Sequence, residues 1–248
     1  MTSFELASLI IVFFVTGALG VVTGSNSLIT VPVLFQFGVQ PKVAVATNMF
    51  ALVFMAVGGT IPFLRNGQID LKRISPLLLI TAVASGLGAL LAGFITNQSM
   101  KLIVSTAMIA VAVFILLRKS KGKDEGSIVV WSSVTFALTF LLGIYGGLYS
   151  GGYVTMLTAV LVAFFGMRFS DAVASTKLIN VVSSSIAAAI FMWQGLVDYK
   201  LGIILGITMF VAGYTGAFFA TKIDEQWLKR IFLSTVFVLA IKTIYDFV

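Results

Sequence analysis

Eight long apolar segments, separated by short polar breaks, constrain the fold more than any other feature of the sequence. They cover about residues 4–37, 43–63, 74–95, 101–117, 128–165, 171–194, 200–220 and 229–247. Runs of about 20 apolar residues cross a bilayer as helices, because a helix satisfies its own backbone hydrogen bonds. Only 10% of the residues are charged, against about 25% in an ordinary soluble domain. The sequence therefore predicts an all-α, polytopic membrane protein, and the continuous apolar runs exclude a porin-type barrel.

The composition also excludes several kinds of chemistry. The chain has no cysteine and no histidine, so thiolate or imidazole metal sites, disulfides and histidine proton relays are ruled out. No nucleotide-binding or hydrolase motif is present. We therefore expect no enzyme activity, catalytic residue, metal or cofactor. The net charge of +7 comes from basic residues at segment ends, which favours anchoring at the cytoplasmic membrane face over nucleic-acid binding.

The two halves of the chain resemble each other in register. Residues 38–47 align with 166–175, and Gly88 aligns with Gly216. Internal repeats of this kind are common in membrane transport proteins. The predicted organisation is a first transmembrane repeat, a cytoplasmic linker and a second transmembrane repeat, at residues 1–117, 118–127 and 128–248.

Two apolar segments are too long for a single crossing. Residues 4–37 and 128–165 would each form a helix of roughly 50 Å, against about 30 Å of hydrocarbon. Clusters of glycine and small polar residues interrupt them at 23–27 and 149–153, and such clusters break helices. Each long segment is therefore predicted to form two helical pieces folded as a hairpin.

The distribution of basic residues favours these hairpins. If each long segment crossed once, the lysines and arginines other than Lys177 would divide nine to six between the two sides, whereas hairpins divide them eleven to four. Cytoplasmic loops carry the excess of positive charge. The hairpins put both termini outside and the linker in the cytoplasm, and they give each half an odd number of crossings. The two repeats are then predicted to be inverted.

Lys177 is a full charge inside a long apolar segment. A cation in hydrocarbon costs several kcal/mol unless something neutralises it, so such residues are functional candidates. Helical spacing places Thr176, Lys177 and Asn180 on one face, where they would present a hydroxyl, an ammonium and an amide. This pattern indicates a diffusible anion as the partner. The alternatives are a lysine that reaches the headgroups or an ion pair with Asp171.

The two helix breaks are the second candidate site. Backbone groups freed by a break in lipid must face protein or water, and helix N-termini attract anions. The candidate binding residues here are Gly24, Ser25, Asn26, Ser150, Gly151 and Gly152. The alternative is that these glycines only allow close helix packing. Asp70 and Asp198, which precede predicted helices, are interpreted as N-caps.

Taken together, these features resemble the TauE/SafE family of sulfite exporters, membrane permeases for sulfur-containing anions. The resemblance covers essentially the whole chain. It is carried by the repeat, by the glycine-containing break before Val-Pro-Val-Leu at 31–34, by Ala-Val-Ala-Thr-Asn at 44–48, and by Ala-Ser-Thr-Lys-Leu-Ile-Asn at 174–180 followed by Gly195. The first break departs from the family's usual run of glycines.

The resemblance implies a multi-pass inner-membrane transporter, an exporter or permease, of sulfite, sulfonates or related organic acids. By motif match, it places six residues in the anion path: Thr47, Asn48, Ser175, Thr176, Lys177 and Asn180. The expected partners are a small anion and the lipid bilayer, and transport would proceed by alternating access between the repeats. An anion channel, a membrane component of a sulfur-metabolising complex and an interaction subunit are the alternatives. The anion, the direction, the coupling ion and homodimer formation stay open.

Overall fold

The computed structural model describes residues 3–24, 26–117 and 132–224, with Trp227 and Arg230. For 108–109, 111–117 and 132 it describes the backbone alone. Ser25 and the predicted linker at 118–127 lie outside the described residues, as does the last apolar segment apart from Arg230.

Within these ranges the chain is helical and contains no strand. The helices are α1 (Ser3–Thr23), α2 (Ser27–Gln36), α3 (Pro41–Arg65), α4 (Leu71–Phe94), α5 (Asn97–Leu117), α6 (Ser132–Leu148), α7 (Tyr153–Phe164), α8 (Phe169–Trp193) and α9 (Tyr199–Ala220). Of these, α1, α3, α4, α8 and α9 are long and apolar enough to cross a membrane. Large apolar side chains such as Leu79 and Phe94 are exposed on the outside, as expected for a surface that faces lipid. The predicted all-α membrane fold is confirmed.

Both long apolar segments are broken where the sequence predicted. The first consists of α1 and α2, and the second of α6 and α7. Gly24 and Gly152, at the two breaks, have φ of 71° and 78°, a left-handed conformation that favours glycine. With 10 and 12 residues, α2 and α7 are roughly 15 and 18 Å long. Each is therefore about half as long as the hydrocarbon is thick.

Helices of the two halves interleave rather than form separate bundles. The most extensive contacts join α3 to α9, α4 to α6, α1 to α9, α3 to α8 and α4 to α8. Exchanging α1 with α6, α3 with α8 and α4 with α9 converts this set of contacts into itself. The core therefore lies at the junction between the halves.

Glycines at matching positions of the two halves allow the helices to cross closely. A methyl group added at Gly88 in α4 would overlap the carbonyl oxygen of Ile144 in α6, and one added at Gly216 in α9 would overlap that of Ala18 in α1. Gly88 and Gly216 are also partners in the sequence register. The crossings of α4 with α6 and of α9 with α1 thus have the same close approach of backbones.

Basic residues at helix ends test the arrangement of the hairpins. Arg65 and Lys222 line the same cleft, and the guanidinium of Arg73 donates a hydrogen bond to the carbonyl of Phe165, three residues before Arg168. A single crossing of each long segment would put Arg65 and Arg73 on the opposite side from Lys222 and Arg168. The observed contacts agree with the hairpins.

The two aspartates that precede helices act as N-caps. The carboxylate of Asp70 accepts a hydrogen bond from the backbone N–H of Arg73 at 3.1 Å, and that of Asp198 from Leu201 at 3.0 Å. Such caps satisfy N–H groups that lack partners in the first turn. The capping interpretation is confirmed at both positions.

Candidate functional site

Lys177 lies inside the protein, about two turns into α8, and its side chain is 2% exposed. Its Nζ is 3.5 Å from the carbonyl oxygen of Gly20 in α1. Among the described residues, no carboxylate forms an ion pair with it, and Asp171 lies in the first turn of α8. The side chain therefore neither reaches the headgroups nor pairs with Asp171. An ammonium has three donors, so Lys177 retains capacity for further hydrogen bonds.

The stem of Lys177 is accommodated by glycines of neighbouring helices. A methyl group placed on Gly59 of α3 would lie 3.9 Å from Cδ of Lys177, while Gly20 of α1 presents its carbonyl to the ammonium. The aliphatic stem is thus packed against α3, and the charge is directed towards the end of α1. This position brings the charge close to the first helix break.

A small cavity of about 10 Å³ lies beside the ammonium. Its lining includes five residues predicted from the sequence: Gly24, Asn26, Ser150, Lys177 and Asn180. A cavity of this volume has room for about one water molecule, which is less than a polyatomic oxyanion needs. In this structure the cavity is therefore too small to hold such a ligand.

The two helix breaks meet next to this cavity and are joined by hydrogen bonds. The hydroxyls of Ser27 and Ser150 are 2.8 Å apart. Asn48 of α3 donates to the Ser27 hydroxyl at 3.0 Å and accepts from the Thr30 hydroxyl at 2.8 Å. The phenol of Tyr149 donates to the carbonyl of Ser27 at 3.1 Å. The breaks are 122 to 123 residues apart in sequence at these contacts and form one polar cluster.

The half-length helices α2 and α7 begin at this cluster. Their N-cap residues are Asn26 and Gly152, and neither helix has a side-chain cap. A helix N-terminus carries roughly half a positive charge and unsatisfied N–H donors. The side-chain amide of Asn26 donates to the sulfur of Met55 at 3.3 Å, which is a weak acceptor. The C-terminal ends of α1 and α6 lie at the same breaks and offset the charge of these N-termini, so the net positive charge of the region comes from the ammonium.

The other described residues predicted for the site do not line the cavity. The hydroxyl of Thr47 accepts a hydrogen bond at 3.0 Å from the N–H of Asp198, at the start of α9. Asn48 belongs to the cluster between the breaks, and Gly151 and Gly152 form the second break itself.

The predicted face of α8 is divided between two environments. Lys177 and Asn180 line the cavity, whereas the hydroxyl of Thr176 donates to the Val173 carbonyl at 2.9 Å and lies 3.4 Å from that of Thr158 in α7. Ser175 is fully buried, and its hydroxyl has no hydrogen-bond partner among the described residues. Ser25 lies outside the described residues.

Sequence reasoning missed several residues of the site. Leu52 and Met55 line the cavity, and Thr30 completes the cluster between the breaks. Leu52 and Met55 follow Asn48 at helical spacing, so the face of α3 that carries Asn48 could have indicated them. Thr30 lies one turn beyond Asn26 in the same way.

Together, these features define a polytopic membrane protein with a buried, positively charged site between two broken helices. The chain belongs to the family described as Sulfite exporter TauE/SafE, whose sequence profile matches residues 9–243.

Curated relatives match over nearly their whole length. A probable membrane transporter protein, ORF9, of Sinorhizobium sp. is 28% identical, over 97% of this chain and 93% of its own. A probable membrane transporter protein of Haemophilus influenzae is 26% identical, with 97% and 95% covered. YfcA of Escherichia coli K12, with the same description, is 23% identical, with 95% and 89% covered. No solved structure matches the chain. By family, this chain is a membrane transporter rather than an enzyme.

Proposed function

We propose that this chain carries small sulfur oxyanions or sulfonates across the cell's inner membrane and exposes one central site alternately to the two sides. The observation that carries the proposal is the burial of Lys177, whose ammonium has a single long contact, to the Gly20 carbonyl at 3.5 Å, among the described residues. A lysine at the centre of a membrane helix costs about 2.5–3.5 kcal/mol. An anion bound beside it offsets that cost.

The groups around the cavity are donors suited to an oxyanion. Lysine acts as a point charge for such ligands, and the N-termini of α2 and α7 add backbone N–H donors. The Ser150 hydroxyl and the Asn180 amide, which both line the cavity, supply further donors. These groups would replace the water that a sulfite or sulfonate loses on leaving solution.

The proposed motion uses two inverted repeats, residues 1–117 and 128–248, joined by a cytoplasmic linker at 118–127. Two contacts support the inverted orientation. Lys42, at the start of α3, donates to the carbonyl of Gly93 near the end of α4 at 2.9 Å. The start of α8 lies beside the opposite end of α4, where Arg73 contacts Phe165. Equivalent helices of the two repeats thus begin at opposite ends of α4.

The seal between the two sides would lie at the helix breaks. Because α2 and α7 are about half the length of a crossing, the breaks fall near the middle of the bilayer. The hydrogen bond between Ser27 and Ser150 joins the repeats at this level. Rocking of one repeat against the other would break it and open the cavity towards one side at a time.

Transport by purified protein in liposomes tests this function. Radiolabelled sulfite, kept under nitrogen, should accumulate with the wild-type protein. Lys177→Gln should reduce the initial rate by more than about tenfold, since removing one partner of a buried charge pair costs about 2–5 kcal/mol. The matched control is Lys101→Gln, which removes an exposed charge and should leave the rate unchanged.

Two results would contradict the proposal. Equal rates for the wild type and Lys177→Gln would remove the lysine from the mechanism. If unlabelled sulfite on the opposite side of the membrane did not accelerate the uptake of labelled sulfite, the result would indicate a channel rather than alternating access.

A further inference from the structure

A second cavity, of about 530 Å³, opens at the protein surface between the C-terminal ends of α3 and α9. Its lining includes two cations, Arg65 from α3 and Lys222 just after α9, together with Asn66, Thr221 and Phe218. No acidic side chain lines it among the described residues. We call this cavity the Arg65–Lys222 cleft. It is large enough for a small oxyanion with part of its water, unlike the closed cavity beside Lys177.

The charge balance in the cleft is positive. The C-terminal ends of α3 and α9 contribute about half a negative charge each, against two full positive charges, which leaves a net charge of about +1. The ammonium of Lys222 is held 3.9 Å from the centre of the Phe218 ring. This cation–π contact fixes the charge at the cleft wall. Asn66 adds an amide that can donate to an oxyanion, whereas the Thr221 hydroxyl donates to the carbonyl of Phe218 at 2.9 Å.

The cleft and the central cavity are both lined by α3, at Pro62 and Met55, which are about 10 Å apart along the helix. Pro62 lines the cleft and is one turn of α3 beyond Gly59, which faces the stem of Lys177. One turn corresponds to about 5.4 Å. The passage is closed because α3 and α9 are in direct backbone contact at Gly58, where an added methyl group would overlap the carbonyl of Phe210. Separation of α3 from α9 would join the two cavities.

We propose that the Arg65–Lys222 cleft is a second oxyanion site, which collects small sulfonates or sulfur oxyanions on the side that the charge pattern assigns to the cytoplasm. This inference rests on the proposed function, because a site that collects anions for transport requires that the protein transports them. Anion binding in the cleft can nevertheless be measured without transport. The phosphate of an acidic lipid headgroup has the same chemistry as the soluble anion. The experiment therefore has an arm for each source.

The absence of cysteine from the chain allows a single thiol to report on the cleft. Asn66→Cys would place it in the lining at an exposed position. The reagent ratio is the rate of labelling by a sulfonated maleimide divided by the rate of labelling by a neutral maleimide. In phosphatidylcholine nanodiscs, this ratio should be about tenfold higher for Asn66→Cys alone than for a variant that also carries Arg65→Gln and Lys222→Gln. The reason is that a cleft of one charge sign concentrates counter-ions. Asn66→Cys combined with Lys72→Gln, which removes an exposed charge outside the cleft, is the control and should keep the ratio of Asn66→Cys alone.

Protection from labelling identifies the occupant. Methanesulfonate is the probe, since sulfite itself reacts with maleimides, and it should slow labelling in nanodiscs with and without phosphatidylglycerol. Slower labelling caused by phosphatidylglycerol alone, with no effect of methanesulfonate, would assign the cleft to lipid headgroups and overturn the proposal. An unchanged reagent ratio after removal of both cations would also overturn it.

Transport measurements distinguish a failure of this inference from a failure of the proposed function. In liposomes, the double charge variant should raise KM for sulfite presented at the cleft side and leave kcat unchanged. If the wild-type protein transports sulfite and the double variant keeps both KM and the reagent ratio, the cleft inference alone fails. If the wild-type protein transports nothing, the proposed function fails, whatever the labelling shows.

Discussion

Replacing Lys177 with methionine should stabilise the protein and abolish transport at the same time. A lysine at the centre of a membrane helix costs about 2.5–3.5 kcal/mol. A well-formed hydrogen bond to a charged group returns about 1.5–3 kcal/mol, but the contact to Gly20 is at the 3.5 Å limit and returns less. Methionine has a similar length without the charge, and Met49 occupies the equivalent position in the first repeat, where it is 1% exposed. We expect a net gain of about 1 kcal/mol or more.

Thermal unfolding in neutral detergent, followed by the fluorescence of the three tryptophans, measures this gain. One kcal/mol corresponds to a rise in Tm of roughly 2–4 °C for a chain of this size. In a background that carries Arg65→Gln and Lys222→Gln, which removes the cations of the cleft, methanesulfonate at a hundredfold excess over Kd should add about 2.7 kcal/mol, and it should add nothing once Lys177→Met is also present. The control is Lys42→Met, since Lys42 is only partly buried and donates to Gly93 at 2.9 Å. It should gain no stability and should keep the ligand effect.

The reasoning would be refuted by a Tm of Lys177→Met well below that of the wild type. Such a loss would mean that the ammonium stabilises the fold through its protein contacts. Retention of the methanesulfonate effect by Lys177→Met without the two cleft cations would equally show that the anion binds at neither of the two sites.

Three further substitutions test the scaffold by thermal unfolding and sulfite uptake. Gly88→Ala should lower the free energy of unfolding by about 1–3 kcal/mol through overpacking against α6. Gly86→Ala in the same helix is the control, because its added methyl group meets only an ordinary contact at 3.5 Å, and it should be neutral or stabilising. Equal Tm values for the two variants would contradict the close crossing. Asp198→Ala should lose about 1 kcal/mol with its N-cap while uptake persists, and an unchanged Tm would contradict the cap. Tyr149→Phe should lower the free energy of unfolding by about 0.5–1.5 kcal/mol, because the Tyr149 hydroxyl donates a hydrogen bond to the carbonyl of Ser27, and an unaltered Tm and uptake rate would exclude that contact from the seal.

The features predicted from sequence are those with a local cause. The helices follow from apolar length, the breaks from glycine and small polar residues within 4–37 and 128–165, and the caps from aspartate directly before a helix. Lys177 was predicted as a site residue because a charge in a long apolar segment is unfavourable unless another group neutralises it. None of these inferences required knowledge of which helices touch.

The features that sequence did not reveal depend on contacts between the halves. Thr176 was expected beside Lys177, but its hydroxyl bonds the Val173 carbonyl and approaches Thr158 of α7, because the packing of α7 on α8 decides which polar residues share an environment. The cleft formed by Arg65 and Lys222 could not be predicted either. These residues are far apart in sequence and become neighbours only because α3 and α9 pack side by side.

The scaffold is duplicated, but the charge of the site is not. Gly88 and Gly216 make equivalent crossings, whereas the repeat partner of Lys177 is Met49, which is buried and apolar. Under the proposed alternating access, a carrier that returns without its anion passes through a closed, unloaded state. One buried lysine costs that state about 2.5–3.5 kcal/mol, and a second would double the cost and add repulsion, against a total stability of about 5–15 kcal/mol for a typical protein. A single charge attracts a monovalent anion and still lets the unloaded protein close.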